Sequence, residues 1–216
     1  MRHLPILWSC FFFTLFYQSH VFALVSVSAS QGQRHGALNF ATTTTQSQTK
    51  SHDTSVKLTV DPLPLIPLGL EVAKLQHTLE LSAQEHTLSA GHLNGYGLGL
   101  EAWIPIFPFV TPYARLMKQA GELRAEYDSS LLSYAGSTRV DYLYHSEEAS
   151  LGIRYAPVAL PLVNVSVFLE YIYSQHHFMF NNFADAAILA SPEKQLLQEE
   201  MGWQSSGIAL GLKVGI

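Results

Sequence analysis

The sequence has 216 residues, of which 48% are hydrophobic, 12% aromatic and only 13% charged. Twelve Lys and Arg against 17 Asp and Glu give a formal net charge of −5, which excludes a basic nucleic-acid-binding surface. The apolar and aromatic content also excludes an intrinsically disordered chain. The composition indicates one folded domain with unusually little charge to cover its surface.

The first segment has the layout of a secretory signal peptide. Arg2 supplies a basic start, residues 4–16 form an apolar run, and Ala23 ends a plausible cleavage site, with a second possible site after Ala29. The apolar run is too short for a comfortable transmembrane helix. We therefore expect residues 1–23 to be a signal peptide and residues 24–216 to form the exported domain.

Cys10 is the only cysteine and lies within the predicted signal peptide. The mature chain would then have neither a disulfide nor a cysteine metal site. No later stretch reaches the roughly 18 uninterrupted apolar residues of a transmembrane helix. If the mature chain lies in a membrane, it must cross as strands.

Prolines divide the mature chain into hairpins, because proline cannot donate to a strand ladder. Eight of the ten fall in three clusters: Pro62, Pro64 and Pro67; Pro105, Pro108 and Pro112; Pro157 and Pro161. Residues on both sides of each cluster alternate with period two, which is the strand signal. The pattern predicts eight strands, at about 24–33, 53–62, 67–77, 95–106, 111–123, 138–157, 162–176 and 205–216.

The predicted connections alternate in length. Three are short and rich in proline, and four are long and polar: 34–52, 78–94, 124–137 and 177–204. This alternation is typical of outer-membrane barrels, with tight periplasmic turns and long external loops. The sixth stretch changes phase between Tyr144 and Leu151, which predicts a bulge or an extension above the membrane near residues 145–148.

The two faces of the predicted strands differ in kind. One face carries aliphatic residues such as Val56, Leu98 and Leu210, and the other carries glycines together with Glu71, Glu101 and similar charges. Small and charged residues suit the inside of a small barrel whose aliphatic face meets lipid. The alternative is a soluble β-barrel that holds a ligand among inward aliphatic residues.

At this point the chain resembles the small eight-stranded outer-membrane β-barrel proteins of Gram-negative bacteria, of the OmpA, OmpX and OmpW kind. The resemblance covers residues 24–216 and is architectural. The last strand, GIALGLKVGI, is similar to the assembly signal of these proteins, although Ile216 stands where the last residue is usually aromatic. The resemblance implies an all-β, antiparallel up-and-down barrel in outer-membrane lipid and lipopolysaccharide, inserted by the barrel assembly machinery.

Seven charged residues are predicted to face the barrel interior: Glu71, Glu101, Arg115, Glu148, Arg154, Glu170 and Lys213. Unpaired charge in that space would be costly, so we expect a network of ion pairs. Its structural interpretation is a plug that stabilises the barrel. Its functional alternative is a gate in which one exchanged pair opens a narrow ion path, as the resemblance suggests.

The eight histidines outside the signal peptide fall in or beside the predicted external loops: His35, His52, His77, His86, His92, His145, His176 and His177. His145 with Glu147 and Glu148 offers metal-ligand types, but the spacing matches no defined motif. We therefore expect solvated loop histidines, no bound metal and no cofactor. The last loop, where Ser191 is a candidate N-cap for a short helix, either caps the barrel or is the contact surface for an external protein or ligand.

Enzymatic alternatives have little support in the sequence. His145-Ser146 and Ser174 with His176 offer the residue types of an outer-leaflet lipid-modifying enzyme, without a recognisable nucleophile arrangement. The sequence therefore predicts a non-enzymatic outer-membrane barrel with a structural or surface-interaction role. A narrow gated channel and a lipid-modifying enzyme are the alternatives.

Overall fold

The computed structural model describes residues 25–40, 46–61, 67–81, 88–104, 109–127, 138–159, 163–183 and 197–216. The predicted signal peptide lies outside these ranges, as do His86 and most of the predicted helix after Ser191. Among the described residues, no helix is long and apolar enough to cross a membrane.

Eight antiparallel strands form one closed barrel in which each strand pairs with its neighbours in sequence, and the last pairs with the first. The strands are β1 Val25–Phe40, β2 Gln46–Val60, β3 Leu68–Leu81, β4 Leu88–Trp103, β5 Val110–Tyr127, β6 Thr138–Ala159, β7 Asn164–Phe183 and β8 Met201–Gly215. The eight-stranded up-and-down barrel predicted from the sequence is confirmed.

The strand register fixes the tilt of the strands. Starting at Ala29, the cross-strand partners run through Val56, Lys74, Tyr96, Ala120, His145, His177 and Gly202 and return to β1 at Asn39. The displacement from residue 29 to residue 39 is a shear of ten residues. For eight strands this shear corresponds to a tilt of about 40° and an interior that side chains can fill.

We call the end of the barrel with the three proline-rich connections the turn end, and the opposite end the loop end. Most strands reach further toward the loop end than the sequence predicts. The expected loops 34–52 and 78–94 belong largely to strands, since β1 continues to Phe40, β2 begins at Gln46 and β4 begins at Leu88. The prediction was wrong there because the strand ends carry polar side chains on the outward face, which read as loop.

The expected bulge near residues 145–148 is also absent. The pairing of β6 with β7 shifts only at Asp141/Tyr142 and Tyr155/Val158, and its pairing with β5 is regular throughout. The phase change in the sequence instead marks a change in which face is apolar. Of the two interpretations, the structure agrees with a strand that extends past the apolar part of the barrel.

Candidate functional site

All seven residues of the predicted interior network lie inside the barrel. Glu71, Glu101, Arg115, Glu148, Glu170 and Lys213 are buried, and the Arg154 side chain is 14% exposed. Each alternates with outward-facing neighbours on its strand, so the period of two carries the charge inward. Six strands contribute charges to a shared space, which explains how residues distant in sequence pair.

Arg115 on β5 is the centre of the network. Its guanidinium lies 2.9 Å from a Glu170 carboxylate oxygen, 3.0 Å from Glu148 and 3.6 Å from Glu71. The Lys57 amine lies 3.0 Å from Glu170, and the Tyr113 hydroxyl donates to the same carboxylate at 3.1 Å. Several carboxylates thus share one arginine, which compensates their burial only while that arginine stays in place.

Glu101 forms a second centre nearer the turn end. Arg154 reaches it from β6 at 2.5 Å and Lys213 reaches it from β8 at 2.8 Å. The Arg154 guanidinium also lies 5.0 Å from the centre of the Tyr113 ring, as in a cation–π contact. One carboxylate therefore holds two cations from two different strands of the barrel.

Toward the loop end the network continues through residues that the sequence analysis missed. Arg34 pairs with Asp53 and, at 2.9 Å, with Glu148, and the His77 ring nitrogen Nδ1 lies 2.6 Å from Asp53. Arg34 and His77 were missed because they were assigned to a loop or its edge. Lys57 could have been found, because it alternates with the outward Val56 and Leu58.

The interior network is balanced in charge and tightly packed. Its ion pairs join five cations, namely Arg34, Lys57, Arg115, Arg154 and Lys213, with five carboxylates, namely Asp53, Glu71, Glu101, Glu148 and Glu170. The cavity that the described residues leave within the network is about 10 Å³. That is about the space that one water molecule needs, so the charged side chains fill this part of the described interior.

Above the network the interior becomes apolar. Trp203, Phe178, Tyr142 and their neighbours form a buried cluster at the loop end, and Leu197 packs into it from the residues preceding β8. The Tyr142 hydroxyl donates to the Leu197 carbonyl at 2.7 Å, and the Trp203 indole donates to the Thr49 hydroxyl at 2.7 Å. We call this cluster the apolar cap.

The outward face changes in the opposite sense. Around the turn end it forms an apolar belt on all eight strands: Val25, Val27, Val56, Leu58, Val60, Leu68, Leu70, Val72, Leu98, Leu100, Ile104, Leu116, Leu151, Ile153, Val165, Val167, Leu169, Ile208, Leu210, Leu212 and Val214 are all exposed. On β4 the belt runs from Tyr96 to Ile104, and eight residue steps on strands tilted by about 40° span roughly 20 Å.

Above the belt the same face carries polar and charged side chains. On β5, for example, Leu116 is followed by Lys118, Glu122 and Arg124, all exposed. Lys118 lies 3.1 Å from Glu147 on β6, in a pair open to solvent. The barrel thus exchanges its faces: charges are inside and aliphatic residues outside at the turn end, and the reverse holds at the loop end.

Several aromatic residues of the barrel face inward. Tyr142, Tyr144 and Trp203 are buried in the apolar cap, and Tyr113 is buried beside the interior network. Tyr96 and Tyr173 do lie on the outward face, at the upper edge of the belt.

The histidines divide between the two faces. His77 and His176 are buried inside the barrel, which corrects their assignment to external loops. His35, His52, His92, His145 and His177 lie on the outward face above the belt. Because Glu148 points inward, it cannot join His145 at a shared metal, and no group of three or more His, Cys, Asp or Glu among the described residues is placed to hold one.

The serine and histidine pairs considered for catalysis separate in the same way. His145 faces outward and Ser146 faces inward, so the two cannot act together. The Ser174 hydroxyl does lie 2.9 Å from His176 Nε2, but both residues are buried, and Ser174 also contacts Arg34 and Ser205.

No family model and no curated protein matches this chain. Solved structures that it resembles include Neisserial surface protein A, with 14% sequence identity and a TM-score of 0.48. The match covers 89% of this chain and 97% of the Neisserial protein. They also include the outer membrane protein OprG from Pseudomonas aeruginosa, with 10% identity, a TM-score of 0.43, and 90% of this chain and 97% of OprG covered. A third is the attachment invasion locus protein Ail of Yersinia pestis, with 12% identity, a TM-score of 0.38, and 87% of this chain and 98% of Ail covered. The likeness is one of architecture, as expected from the sequence, and at these values it carries no conclusion about activity.

Proposed function

We propose that this protein is a β-barrel of the bacterial outer membrane, with its turn end toward the periplasm and its loop end outside the cell. The observation that carries the proposal is the exchange of faces along the barrel. An aliphatic exterior around a charged interior is costly in water and stable in hydrocarbon. The loop end, with its polar exterior and apolar cap, has the opposite pattern, which suits water.

The dimensions of the belt agree with this arrangement. A height of about 20 Å approaches the roughly 25 Å apolar band of outer-membrane barrels. Lys74 and Lys118 lie on the outward face at its upper edge, where long amines can reach anionic lipid headgroups. Outer-membrane lipid and lipopolysaccharide are then the surroundings of the barrel.

Labelling of single cysteines tests the location. The only native cysteine is in the predicted signal peptide, so Gln204→Cys above the belt and Leu210→Cys within it provide a matched pair on one face of β8. In whole cells, a membrane-impermeant maleimide should label the first variant and not the second, while both react after denaturation. Equal labelling of both variants, or a soluble periplasmic protein, would overturn the proposal.

Within the membrane we assign the protein a structural or surface-interaction role. In this role the barrel neither lets solutes diffuse across the membrane nor catalyses a reaction. The tight packing of the interior network supports this role, as does the burial of Ser174 and His176. Replacing residues 184–196 with a short Gly-Ser linker separates the two roles. If this variant restores detergent resistance to a strain that lacks the protein, the result favours a structural role. If the variant no longer binds an external protein or ligand that the wild type binds, the result favours interaction through residues 184–196.

Two further measurements address catalysis and conduction. The lipid A mass spectrum should be unchanged between wild type and His176→Ala. The narrow gated channel is the second candidate, because Glu101 holds Arg154 and Lys213 at once and can release either without being left unpaired. In planar bilayers, a plug predicts no conductance in wild type or in Glu101→Gln, whereas a gate predicts conductance that this substitution alters.

A further inference from the structure

Two exposed histidines stand directly opposite each other on neighbouring strands. His145 on β6 and His177 on β7 are cross-strand partners, and their rings are stacked with centres 5.1 Å apart and planes 18° apart. Both lie on the outward face above the apolar belt, in water under the proposed arrangement. Cross-strand partners hold their Cβ atoms about 5 Å apart, so both imidazoles can turn toward one point between the strands.

The neighbouring strands leave space around this pair. The residue opposite His145 on β5 is Ala120, and the residue opposite His177 on β8 is Gly202. A Cβ at Gly202 would come no closer than 4.0 Å to any other residue's atoms beyond its chain neighbours. A bound ion could therefore keep water or an external ligand on its remaining coordination positions.

We propose that His145 and His177 form a two-histidine site for a divalent transition-metal ion, with Cu²⁺ bound most tightly. Imidazole nitrogen suits Cu²⁺, Ni²⁺ and Zn²⁺, with bonds of about 2 Å to Zn²⁺, and Cu²⁺ has the highest affinity of the series. The strand pairing brings the second ligand near the first before the ion arrives. This raises the effective concentration of the second imidazole and strengthens binding on the order of 10²-fold over a lone histidine.

The surrounding charge also favours a cation. Glu147 lies two residues along β6 on the same face as His145, and its exposed partner Lys118 is free to turn into solvent. Within the described strands the other outward histidines have no histidine partner: His35 faces Lys50 and Ser206, His52 faces Gln33 and Thr78, and His92 faces Thr78 and Arg124. They supply matched controls on the same outward face.

The test is a titration of the folded exported protein with Cu²⁺ in detergent. Calorimetry measures the affinity and the stoichiometry, and electron paramagnetic resonance identifies the ligands. The variants are His145→Ala and His177→Ala, with His52→Ala and His92→Ala as controls. All four side chains are exposed, so folding should be unaffected, and a heat-dependent shift on SDS gels checks this.

We expect wild type and both controls to bind one Cu²⁺ at a site whose spectrum reports two nitrogen ligands from imidazole. Either substitution in the pair should weaken that site on the order of 10²-fold, because one imidazole remains, and the double variant should lose the site. Unchanged affinity and stoichiometry in His145→Ala or His177→Ala would overturn the proposal. An equal loss in the control variants would overturn it as well, since binding would then be spread over surface histidines.

Discussion

At the scale of single residues, the same charge has very different consequences inside and outside the barrel. Arg115 is 3% exposed and forms ion pairs with three carboxylates, whereas the Lys118 side chain, three residues away on the opposite face, is 83% exposed and pairs with one. A buried charge left without its partner is strongly destabilising, while an exposed pair contributes little because water replaces the partner.

Arg115→Met should therefore destabilise the folded barrel by about 3–5 kcal/mol, because Glu71, Glu148 and Glu170 would share a dry space without it. Lys118→Met, the matched control, should cost less than about 1 kcal/mol. Urea unfolding in detergent, followed by tryptophan fluorescence, measures both. Similar losses in the two variants would show that the interior network is solvated after all.

At the scale of the strands, large side chains pack where a neighbouring strand carries glycine. A Cβ added at Gly152 on β6 would collide with the ring of Tyr113 on β5, and one at Gly211 on β8 would collide with Phe168 on β7. These glycines let aromatic rings lie flat against the inner wall. Their role is steric, since no described glycine has a positive φ.

Gly152→Val should cost about 1–3 kcal/mol, because Tyr113 must move and its hydrogen bond to Glu170 is strained or lost. Gly202→Ala, which adds a side chain in open space, is the control and should be nearly neutral. The measurement is the midpoint of urea unfolding in detergent. A Gly152→Val protein as stable as wild type would mean that Tyr113 is not held in this position.

The position of the apolar belt on each strand gives a second prediction at this scale. Leu210→Arg, within the belt on β8, should destabilise the protein in lipid by about 2–4 kcal/mol, because the arginine would face hydrocarbon. Gln204→Arg, six residues away on the same face and above the belt, should be close to neutral. Unfolding in phospholipid vesicles measures the difference, and equal effects would place the hydrocarbon boundary elsewhere.

At the scale of the whole molecule, closure joins the two halves into one cooperative unit. β1 pairs with β8 from Ser26 to Phe40, so no described strand is left with an unpaired edge. The interior network fills the half with the apolar exterior, and the apolar cap fills the other. Because the two halves have opposite polarity, only a boundary between hydrocarbon and water suits both at once.

A closed barrel of this kind should resist SDS until it is heated. Unheated outer-membrane fractions should contain a species whose apparent mass on SDS gels differs from that of the boiled chain, since the intact hydrogen-bonded ring excludes detergent. Arg115→Met should shift at a lower temperature than wild type. A soluble periplasmic protein with no shift would indicate a water-soluble barrel that holds a ligand.

The sequence by itself determined the class of fold and most of the interior. Proline clusters and period-two alternation depend only on local backbone chemistry, so strand number and the inward direction of Glu71, Glu101 and Lys213 could be read along the chain. The residues at which the strands begin and end could not be predicted in this way. Near the loop end the polarity of the two faces reverses. If the outward face is expected to be apolar along the whole strand, such a segment is wrongly assigned to a loop.

Tertiary structure alone decided which residues meet. A shear of ten residues brings Arg34 of β1 to Glu148 of β6, and Lys57 of β2 to Glu170 of β7, and no spacing in the sequence encodes those contacts. The same register sets His145 opposite His177 while Glu148 turns inward. The physical reason is that the alternation of polar and apolar residues determines locally which side chains face the interior. Closure of the barrel determines the height along its axis at which side chains from different strands meet.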